Sequence, residues 1–519
     1  MKVTKSLVLG SAAALVAVGG ARAADLPLKA KAVEYVKVCS LYGPGFYYVP
    51  GTDTCIKLGG YMRVDVVANS NADNNGNTSG AGGANNRFTN GYTGRSRADV
   101  SLDTRTATEY GVVRTYMDAN FNWTTDNYSG NPAVAGSTIY SALGGSATVS
   151  PAQAPNNASA GAVAAGTVGV YYAFIQFAGF TIGKAISQFS PPWTNYPGNT
   201  FDGLVGGTST ITGVNQFSYT ADFGQGMTLS VSAQDPTAYF QAGVNNISAG
   251  GAYGASDYAG TIVPDFIASL RVDQAWGLFQ ASFAAHDSHA AYYGGTELAG
   301  HPDDRWGWAG QLALSIRNIP TGAGDTINIQ GVYTDGATRY NISELAGGWA
   351  GANTVYGGTS LAGAYQSVGF GFAPDSVFAV GTQQQLIQTW GMRGAYTHNW
   401  DPFWNSSIYG AYAAVRYNSA SKSLICGVGG VGGSFRAVFG AAGVTSCDPD
   451  YNIAQLGVIT RWTPVKNLTF SGDLTYTHLD QKYAGTVTTA SASIGKPAAV
   501  YELKDQNTLL MLLRAQRNF

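Results

Sequence analysis

The sequence predicts an all-β protein, a transmembrane antiparallel β-barrel of sixteen strands with long extracellular loops. Composition is the first of three observations behind this prediction. Only 12% of residues are charged, against about 25% in ordinary soluble domains, while 69 of 519 residues are Gly and 12% are aromatic. Mean hydropathy is near neutral at -0.03, as expected when lumen-facing polar residues offset lipid-facing apolar ones. Composition alone leaves a secreted β-solenoid or adhesin as the alternative.

The N-terminus predicts export. Residues 1–23 place Lys2 and Lys5 before a short apolar stretch and end in Ala-Arg-Ala at 21–23, which is the pattern of a secretory signal peptide cleaved before Ala24. Cleavage removes three of the 29 basic residues and leaves all 31 acidic ones, so the formal charge becomes 26 − 31 = −5. This mild acidity gives no hint of a nucleic-acid partner.

The second observation is a period of two. In residues 55–66 the even positions are apolar, while Lys57, Arg63 and Asp65 stand at odd positions, the alternation of a strand with one lipid face and one lumen face. The same pattern recurs along the mature chain. The sixteen predicted strands cover residues 55–66, 97–103, 110–122, 168–178, 180–188, 213–223, 227–235, 264–273, 277–287, 306–317, 325–335, 386–399, 404–417, 450–461, 468–479 and 505–519.

The third observation is that short and long connections take turns. Short connections such as 178–179, 224–226 and 463–467 alternate with long segments rich in Gly, Asn and Ala. Outer-membrane barrels have short periplasmic turns and long outside loops, whereas a solenoid would repeat a fixed period. We therefore expect a periplasmic segment at 24–54 and the barrel at 55–519. The long loops cover residues 69–94, 123–167, 189–212, 236–263, 288–305, 336–385, 418–449 and 480–504.

The last predicted strand ends on Phe519. It directs Leu513 towards lipid and Arg514 inward, and Phe519 is expected to anchor the strand at the membrane interface. Other aromatic residues near strand ends are expected to form the interfacial girdle. They are Tyr396, Trp400, Trp404 and Trp462.

The four cysteines form two local pairs. Cys39 and Cys55 enclose one short loop, and Cys426 and Cys447 enclose another. In an oxidising compartment these are the natural disulfides, although four cysteines formally allow three connectivities. Metal binding is the weaker interpretation because no His lies near either pair, and neither a metal nor a cofactor is expected.

Several stretches resemble a known family. They are ADLPLKAKAVEYVKVCSLYGPGFYYVPGTDTCIKLGGYMR, EYGVVRTYMDANF, FAGFTIGKAISQF, PVKNLTFSGDLTYTHLDQK and the final LLRAQRNF. They resemble alphaproteobacterial outer-membrane porins of the rhizobial type and span the mature chain.

The resemblance implies a homotrimeric general porin, a passive aqueous channel for small hydrophilic solutes and ions. It also implies contact with outer-membrane lipid and lipopolysaccharide, and recognition of Phe519 as an assembly signal by the outer-membrane assembly machinery. The third outside loop of such porins folds into the pore and narrows it. Here that loop is 189–212, and its only acid is Asp202, where such loops usually carry several. Cation preference is therefore left open.

Four arginines are candidate constriction residues. Barrel closure places the last strand beside the first, so Arg514, Arg63, Arg97 and Arg114 fall on four adjacent strands and point inward, all near mid-height. We call them the arginine wall. The functional interpretation is a positive wall opposite the third loop with its Asp202, which together set a transverse field.

The alternative is that these arginines only pair with lumen acids. Those acids are Asp65, Asp99, Asp103 and Asp118. Basic residues are also not confined to one side, because Arg271, Arg393 and Arg416 point inward elsewhere.

Two other functional classes remain. Some outer-membrane barrels are lipases with Ser and His on the lipid face. This chain has no GxSxG motif, three of its five histidines (286, 289 and 301) lie in or beside one loop, and His398 and His478 lie at opposite membrane edges, so no enzyme is predicted. An adhesive or structural surface barrel is supported only by the long loops 123–167 and 336–385. A more solute-selective channel is a further alternative.

Overall fold

The structure, a computed structural model, is a closed antiparallel β-barrel. It describes residues 37–69, 92–124, 167–193, 204–208, 213–237, 240–248, 258–342, 353–357, 367–427, 443–489 and 499–519. Each barrel strand pairs with its neighbours in sequence, and the first strand also pairs with the last, Tyr61 lying opposite Asn518 and Arg63 opposite Gln516. Closure leaves no unpaired strand edge in the hydrocarbon, where each unpaired backbone group would cost several kcal/mol.

Sixteen strands form the barrel, which confirms the predicted number. They are β1 (Thr54–Asn69), β2 (Thr93–Thr108), β3 (Gly111–Thr124), β4 (Thr167–Phe177), β5 (Phe180–Ala185), β6 (Val214–Asp222), β7 (Met227–Gln234), β8 (Asp265–Gln274), β9 (Gly277–Ser288), β10 (Arg305–Arg317), β11 (Thr326–Asp335), β12 (Gln388–Asn399), β13 (Trp404–Arg416), β14 (Tyr451–Val465), β15 (Leu468–Gln481) and β16 (Gln506–Asn518).

Most strands differ from their predicted bounds by a few residues, and two of them show the physical reason. β2 is longer than 97–103 because its ladder with β1 continues through Gly94 and Thr106, beyond the charged and apolar alternation that marks the strand in sequence. β5 ends at Ala185 instead of 188, because the chain turns inward there. The Gln216 side chain stabilises this turn by donating hydrogen bonds to the carbonyls of Ala185 and Ile186, both at 2.8 Å.

The outer face carries the apolar positions of the alternation. On β1, Leu58 and Met62 are 55% and 56% exposed, on the face that lipid covers in a membrane. Trp404 and Trp462 stack on this face with ring centroids 5.7 Å apart, at the end where the strands are joined by short turns. They belong to the predicted aromatic girdle.

The loops at the other end build sheets of their own. We number the long loops in chain order, so that the third is 186–213, the fourth 235–264, the sixth 336–387, the seventh 417–450 and the eighth 482–505. A five-stranded sheet joins the sixth, seventh and eighth loops. Its strands, in spatial order, are Asn353–Gly357, Ser367–Phe372, Ala499–Leu503, Ala484–Thr489 and Gly443–Ser446.

A three-stranded sheet joins the sixth loop to the fourth through Gln385–Leu386, Ser376–Phe378 and Val244–Asn246. The seventh loop also carries a short helix, Ser419–Cys426, capped by the Asn418 side chain, which accepts a hydrogen bond from the Ser421 backbone amide at 2.8 Å. In the described part of the chain no helix is long and apolar enough to cross a membrane.

Both predicted disulfides are present, Cys39–Cys55 and Cys426–Cys447. The second ties the helix of the seventh loop to the strand that follows it. Lys422 on this helix reinforces the tie, with its Nζ 2.8 Å from carboxylate oxygens of Asp448 and Asp450. Partial burial opposes the lysine charge, but the two hydrogen-bonded carboxylates outweigh it and raise the pKa of Lys422 above its ordinary value.

Candidate functional site: the barrel lumen

The lumen is covered on one side and more open on the other. Most lumen-facing residues of β9 to β15 are buried, whereas Arg63, Tyr116, Phe174 and Gln176 on β1, β3 and β4 stay partly exposed. The difference arises because the third and sixth loops pack against the inner face of the first group of strands. The open part of the lumen therefore lies along β1 to β4, beside Arg63 and Arg114 of the arginine wall, whereas Arg97 is 8% exposed.

Glutamines hold the first half of the third loop inside the barrel. Gln280 Nε2 lies 3.2 Å from the carbonyl oxygens of both Phe189 and Ser190, and Gln311 Nε2 donates to Phe189 at 2.9 Å. These side chains satisfy buried carbonyls that would otherwise lose their hydrogen bonds to water. We call the set the glutamine belt. It consists of Gln216, Gln280, Gln311 and Gln330 on β6, β9, β10 and β11, and of Gln455 on β14, which reaches the second half of the loop by accepting a hydrogen bond from the Val205 amide at 2.9 Å.

Arg393 holds the second half. Its side chain, on β12, is 1% exposed, and its two Nη atoms donate to the carbonyls of Leu204 at 3.1 Å and Thr208 at 2.5 Å. Between these carbonyls the chain runs close to the wall. A Cβ built on Gly206 would lie 2.5 Å from the Met392 carbonyl oxygen, so only glycine fits there. The inward position of the third loop, predicted for 189–212, is thus confirmed for residues 189–193 and 204–208, while Asp202 lies outside the described residues.

The sixth loop fills the space beside the third. Phe370 and Phe372 stack with ring centroids 5.9 Å apart and are buried with Leu204 of the third loop and Ile453 of β14 in one apolar cluster. Burial of such rings is worth about 1.5–3 kcal/mol each. This side of the lumen is therefore a packed core.

A buried polar cluster anchors the fourth and sixth loops to the barrel. His286 of β9 lies 2.7 Å from Asp265 of β8 and 2.9 Å from the Tyr258 hydroxyl, which donates to Asp375 at 2.8 Å. Burial, and the carboxylate of Asp375 next to it, raise the pKa of Tyr258 well above its ordinary value. Because His286, Asp265 and Asp375 are all 0% exposed, the cluster positions loops and offers no surface to a substrate.

The wall arginines stand on the adjacent strands β16, β1, β2 and β3, as the sequence predicts. Arg63 lies directly opposite Arg97 in the β1–β2 ladder, and Arg514 lies opposite Asp65. Arg114 is opposite Arg105, closer to the short turn between β2 and β3 than Arg97 is. The wall therefore extends along the barrel axis and is not confined to one register row.

Two aspartates neutralise part of this wall. Asp65 pairs with Arg514 at 2.6 Å and with Arg95 at 2.8 Å, and Asp103 pairs with Arg114 at 2.9 Å and with Arg105 at 3.0 Å. The other two acids considered in the sequence behave differently. Asp99 and Asp118 are diagonal neighbours on β2 and β3 and form no ion pair with an arginine within the described residues; the Tyr116 hydroxyl donates to Asp118 at 3.3 Å.

Aromatic rings support several of these guanidinium groups. Arg63 Cζ lies 4.4 Å from the Tyr61 ring centroid, Arg97 Cζ lies 5.5 Å from that of Tyr171, and Arg114 Cζ lies 5.1 Å from that of Tyr116. Such cation–π contacts fix the plane of the guanidinium and contribute about 0.5–1 kcal/mol at exposed sites. Nothing in the alternation of the sequence distinguishes these rings from other lumen-facing aromatic residues.

The N-terminal disulfide loop lies at the end of the barrel where the strands meet in short turns. Its Phe46 ring centroid is 4.9 Å from Arg105 Cζ and 5.9 Å from Lys57 Nζ, both lumen-facing residues. Phe519 ends β16 at this same end, where its backbone amide donates to the Gly60 carbonyl at 3.1 Å. Its ring is 61% exposed on the outer face, as an interface anchor requires.

Comparisons with known proteins agree with this architecture. Residues 25–512 match the family model described as "Porin subfamily". The chain is 30% identical over 362 residues to porin Omp2b of Brucella neotomae, covering 69% of this chain and 80% of that protein. It is 30% identical over 359 residues to porin Omp2b of Brucella suis biovar 1 (strain 1330), covering 68% and 79%.

The fold is similar to that of a solved structure, the outer membrane channel DcaP of Acinetobacter baumannii. The TM-score is 0.51 at 14% sequence identity, with 91% of this chain and 99% of that chain covered. At this identity the likeness concerns the fold alone.

Proposed function

The chain belongs to the porin subfamily, a family of outer-membrane diffusion channels, and from this premise we propose where solutes pass: along the arginine wall, with the inserted third loop on the opposite side. The observation that carries the proposal is the uneven burial of the lumen, which is packed against β9 to β15 and partly exposed along β1 to β4. Small hydrophilic solutes and ions diffuse passively on the open side, and the end with short turns faces the periplasm.

A diffusion channel must admit solutes of more than one kind. We expect liposomes containing the purified protein to swell in isotonic solutions of neutral monosaccharides, at rates that fall as the solute becomes larger, because a partly filled lumen discriminates first by size. Protein-free liposomes and liposomes with the heat-unfolded protein serve as controls.

Two results of this assay would contradict the proposal. An adhesin alone admits no solute, so absence of swelling with every sugar would favour the adhesive surface barrel. Swelling with one chemical class only would favour a more solute-selective channel.

We also propose a homotrimer, as expected for this family. A barrel closed by sixteen paired strands should resist detergent until it is boiled, so unboiled samples should migrate as a trimer in gel electrophoresis and boiled samples as a monomer. Cross-linking in mild detergent checks the assignment independently. A monomer alone in both experiments would exclude the trimer and leave the barrel unaffected.

Other expectations fit this function. The porin relatives favour a channel over an enzyme, and the exposed apolar outer face fits outer-membrane lipid and lipopolysaccharide as surroundings. Recognition of Phe519 by the assembly machinery stays a prediction, as does removal of residues 1–23, which lie outside the described part of the chain.

A further inference from the structure

We propose that Arg63 and Arg97 together form a binding site for the carboxylate group of small organic acids within the channel. This inference rests on the proposed diffusion path and goes beyond it, because it assigns a saturable site for one solute class to a named pair of residues. The two arginines are direct partners in the β1–β2 ladder and share the lumen face. Side chains at such positions have Cβ atoms about 4.5–5.5 Å apart, so one carboxylate can reach both guanidinium groups.

The pair lacks the carboxylate partners that its neighbours have. Arg95, Arg105, Arg114 and Arg514 each form an ion pair of 3.0 Å or less. Within the described residues, Arg63 and Arg97 form none; Arg63 Nε donates to the amide oxygen of Gln516 at 2.8 Å, and Arg97 Nε donates to Asn122. Neutral amides therefore orient the two side chains without cancelling their charge.

The nearest acids do not pair with these two arginines. Asp65 divides its two oxygens between Arg514 and Arg95, and Asp99 forms no ion pair with Arg63 or Arg97 within the described residues. Two like charges directly opposite each other in a sheet destabilise it. A bound anion would relieve this repulsion, which gives the site a physical reason to bind one.

Hydrogen-bond donors remain for such an anion. The Nη atoms of Arg63 donate to no side chain or carbonyl in the described residues, and the one hydrogen bond of the Arg97 Nη atoms there is a long one of 3.5 Å to the Tyr61 hydroxyl. The Tyr61 and Tyr171 rings form cation–π contacts with the guanidinium groups of Arg63 and Arg97, respectively. A planar carboxylate matches the paired N–H groups of a guanidinium in length and direction. Arg63 and Tyr61 are partly exposed on the open side of the lumen, where a passing solute meets them, and Arg97 lies behind them with 8% of its surface exposed.

Single-channel conductance in potassium acetate tests the site. We expect the wild-type conductance to level off as the acetate concentration rises, because occupied sites limit the flux. In the double variant Arg63→Gln/Arg97→Gln the half-saturating concentration should rise at least about tenfold, the change that corresponds to about 1.4 kcal/mol of binding free energy. The matched control is Arg105→Gln, on the same face of β2, whose charge is already paired with Asp103; it should saturate like the wild type.

Potassium chloride and potassium phosphate complete the test. If the wild type conducts in chloride and its conductance rises strictly linearly with acetate concentration, the binding site is overturned and the channel is not. If it conducts in neither salt, the proposed function itself is overturned. Saturation in phosphate but not in acetate would refute the carboxylate class. Saturation that persists unchanged in a double variant with a normal heat-modifiable band would place the site elsewhere.

Discussion

Replacing Arg393 with Met should detach the second half of the third loop from the barrel wall. The guanidinium of Arg393 donates to the carbonyls of Leu204 and Thr208 inside a packed region, and hydrogen bonds to a charged group are worth about 1.5–3 kcal/mol each. Met fills a similar volume but leaves both carbonyls unpaired. We expect a lower denaturation temperature and, in single-channel recordings, frequent partial closures as the loop enters the open side of the lumen.

The control for this experiment is Arg416→Met. Arg416 lies on the next strand, β13, opposite Gln388 at an outward position, so its predicted inward orientation is wrong, because Val415 takes the lumen-facing place beside it. Its guanidinium contacts Tyr451 and Asn452 of β14 and no described residue of the third loop. Its replacement should not increase the frequency of partial closures. Arg393→Lys keeps one charge but not the paired donors, so an intermediate closing frequency is expected. If Arg393→Met channels conduct as steadily as the wild type, the loop is held by the glutamine belt alone.

Deletion of residues 195–208 together with Arg393→Met tests whether the third loop, besides being attached to the barrel, obstructs the lumen. The deletion removes both carbonyls that Arg393 binds, and the substitution avoids leaving a buried charge without partners, which would itself cost several kcal/mol. We expect higher single-channel conductance than in the wild type. Unchanged conductance would show that this loop is not the constriction.

The period-two pattern was sufficient to predict all sixteen strands, because each strand faces lipid on one side and the lumen on the other. Arg95 illustrates where that reasoning stops. It faces the lumen on β2 and pairs with Asp65, but the prediction began this strand at Arg97, since the alternation of apolar and charged residues is clearest from there on. Strand ends depend on the ladder partner, which a single segment does not contain.

The inner packing was less predictable. Gln280, Gln311 and Gln330 are ordinary lumen-facing polar residues by sequence, and only the fold shows that they bind the third loop. A signal exists: buried loop carbonyls need donors, and a Gln on the lumen face of several strands can supply them. The inward fold of the third loop itself followed from the family resemblance, because nothing in the spacing of residues 189–212 requires it.

The arginine wall should set the ion selectivity of the channel. Replacing Arg63, Arg97 and Arg114 together with Ala removes three positive charges from the open side of the lumen. Unit charges about 4 Å apart at an effective dielectric near 20 interact by about 4 kcal/mol, so a few charges near the path outweigh a distant net charge. In a salt gradient the reversal potential should shift towards cations, with a change in the cation-to-anion permeability ratio of up to about tenfold, equivalent to about 1.4 kcal/mol.

The salt dependence of this shift and a second variant distinguish an electrostatic role of the arginine wall from a structural role. The Debye length falls from about 10 Å at 0.1 M to about 3 Å at 1 M, so the shift should shrink as ionic strength rises. Arg271→Ala removes a lumen-facing arginine of β8, away from the wall, and should shift the reversal potential far less. The triple variant could instead fold, form trimers and keep the wild-type reversal potential. The wall arginines would then have only a structural role, which is to balance buried acids such as Asp65 and Asp103.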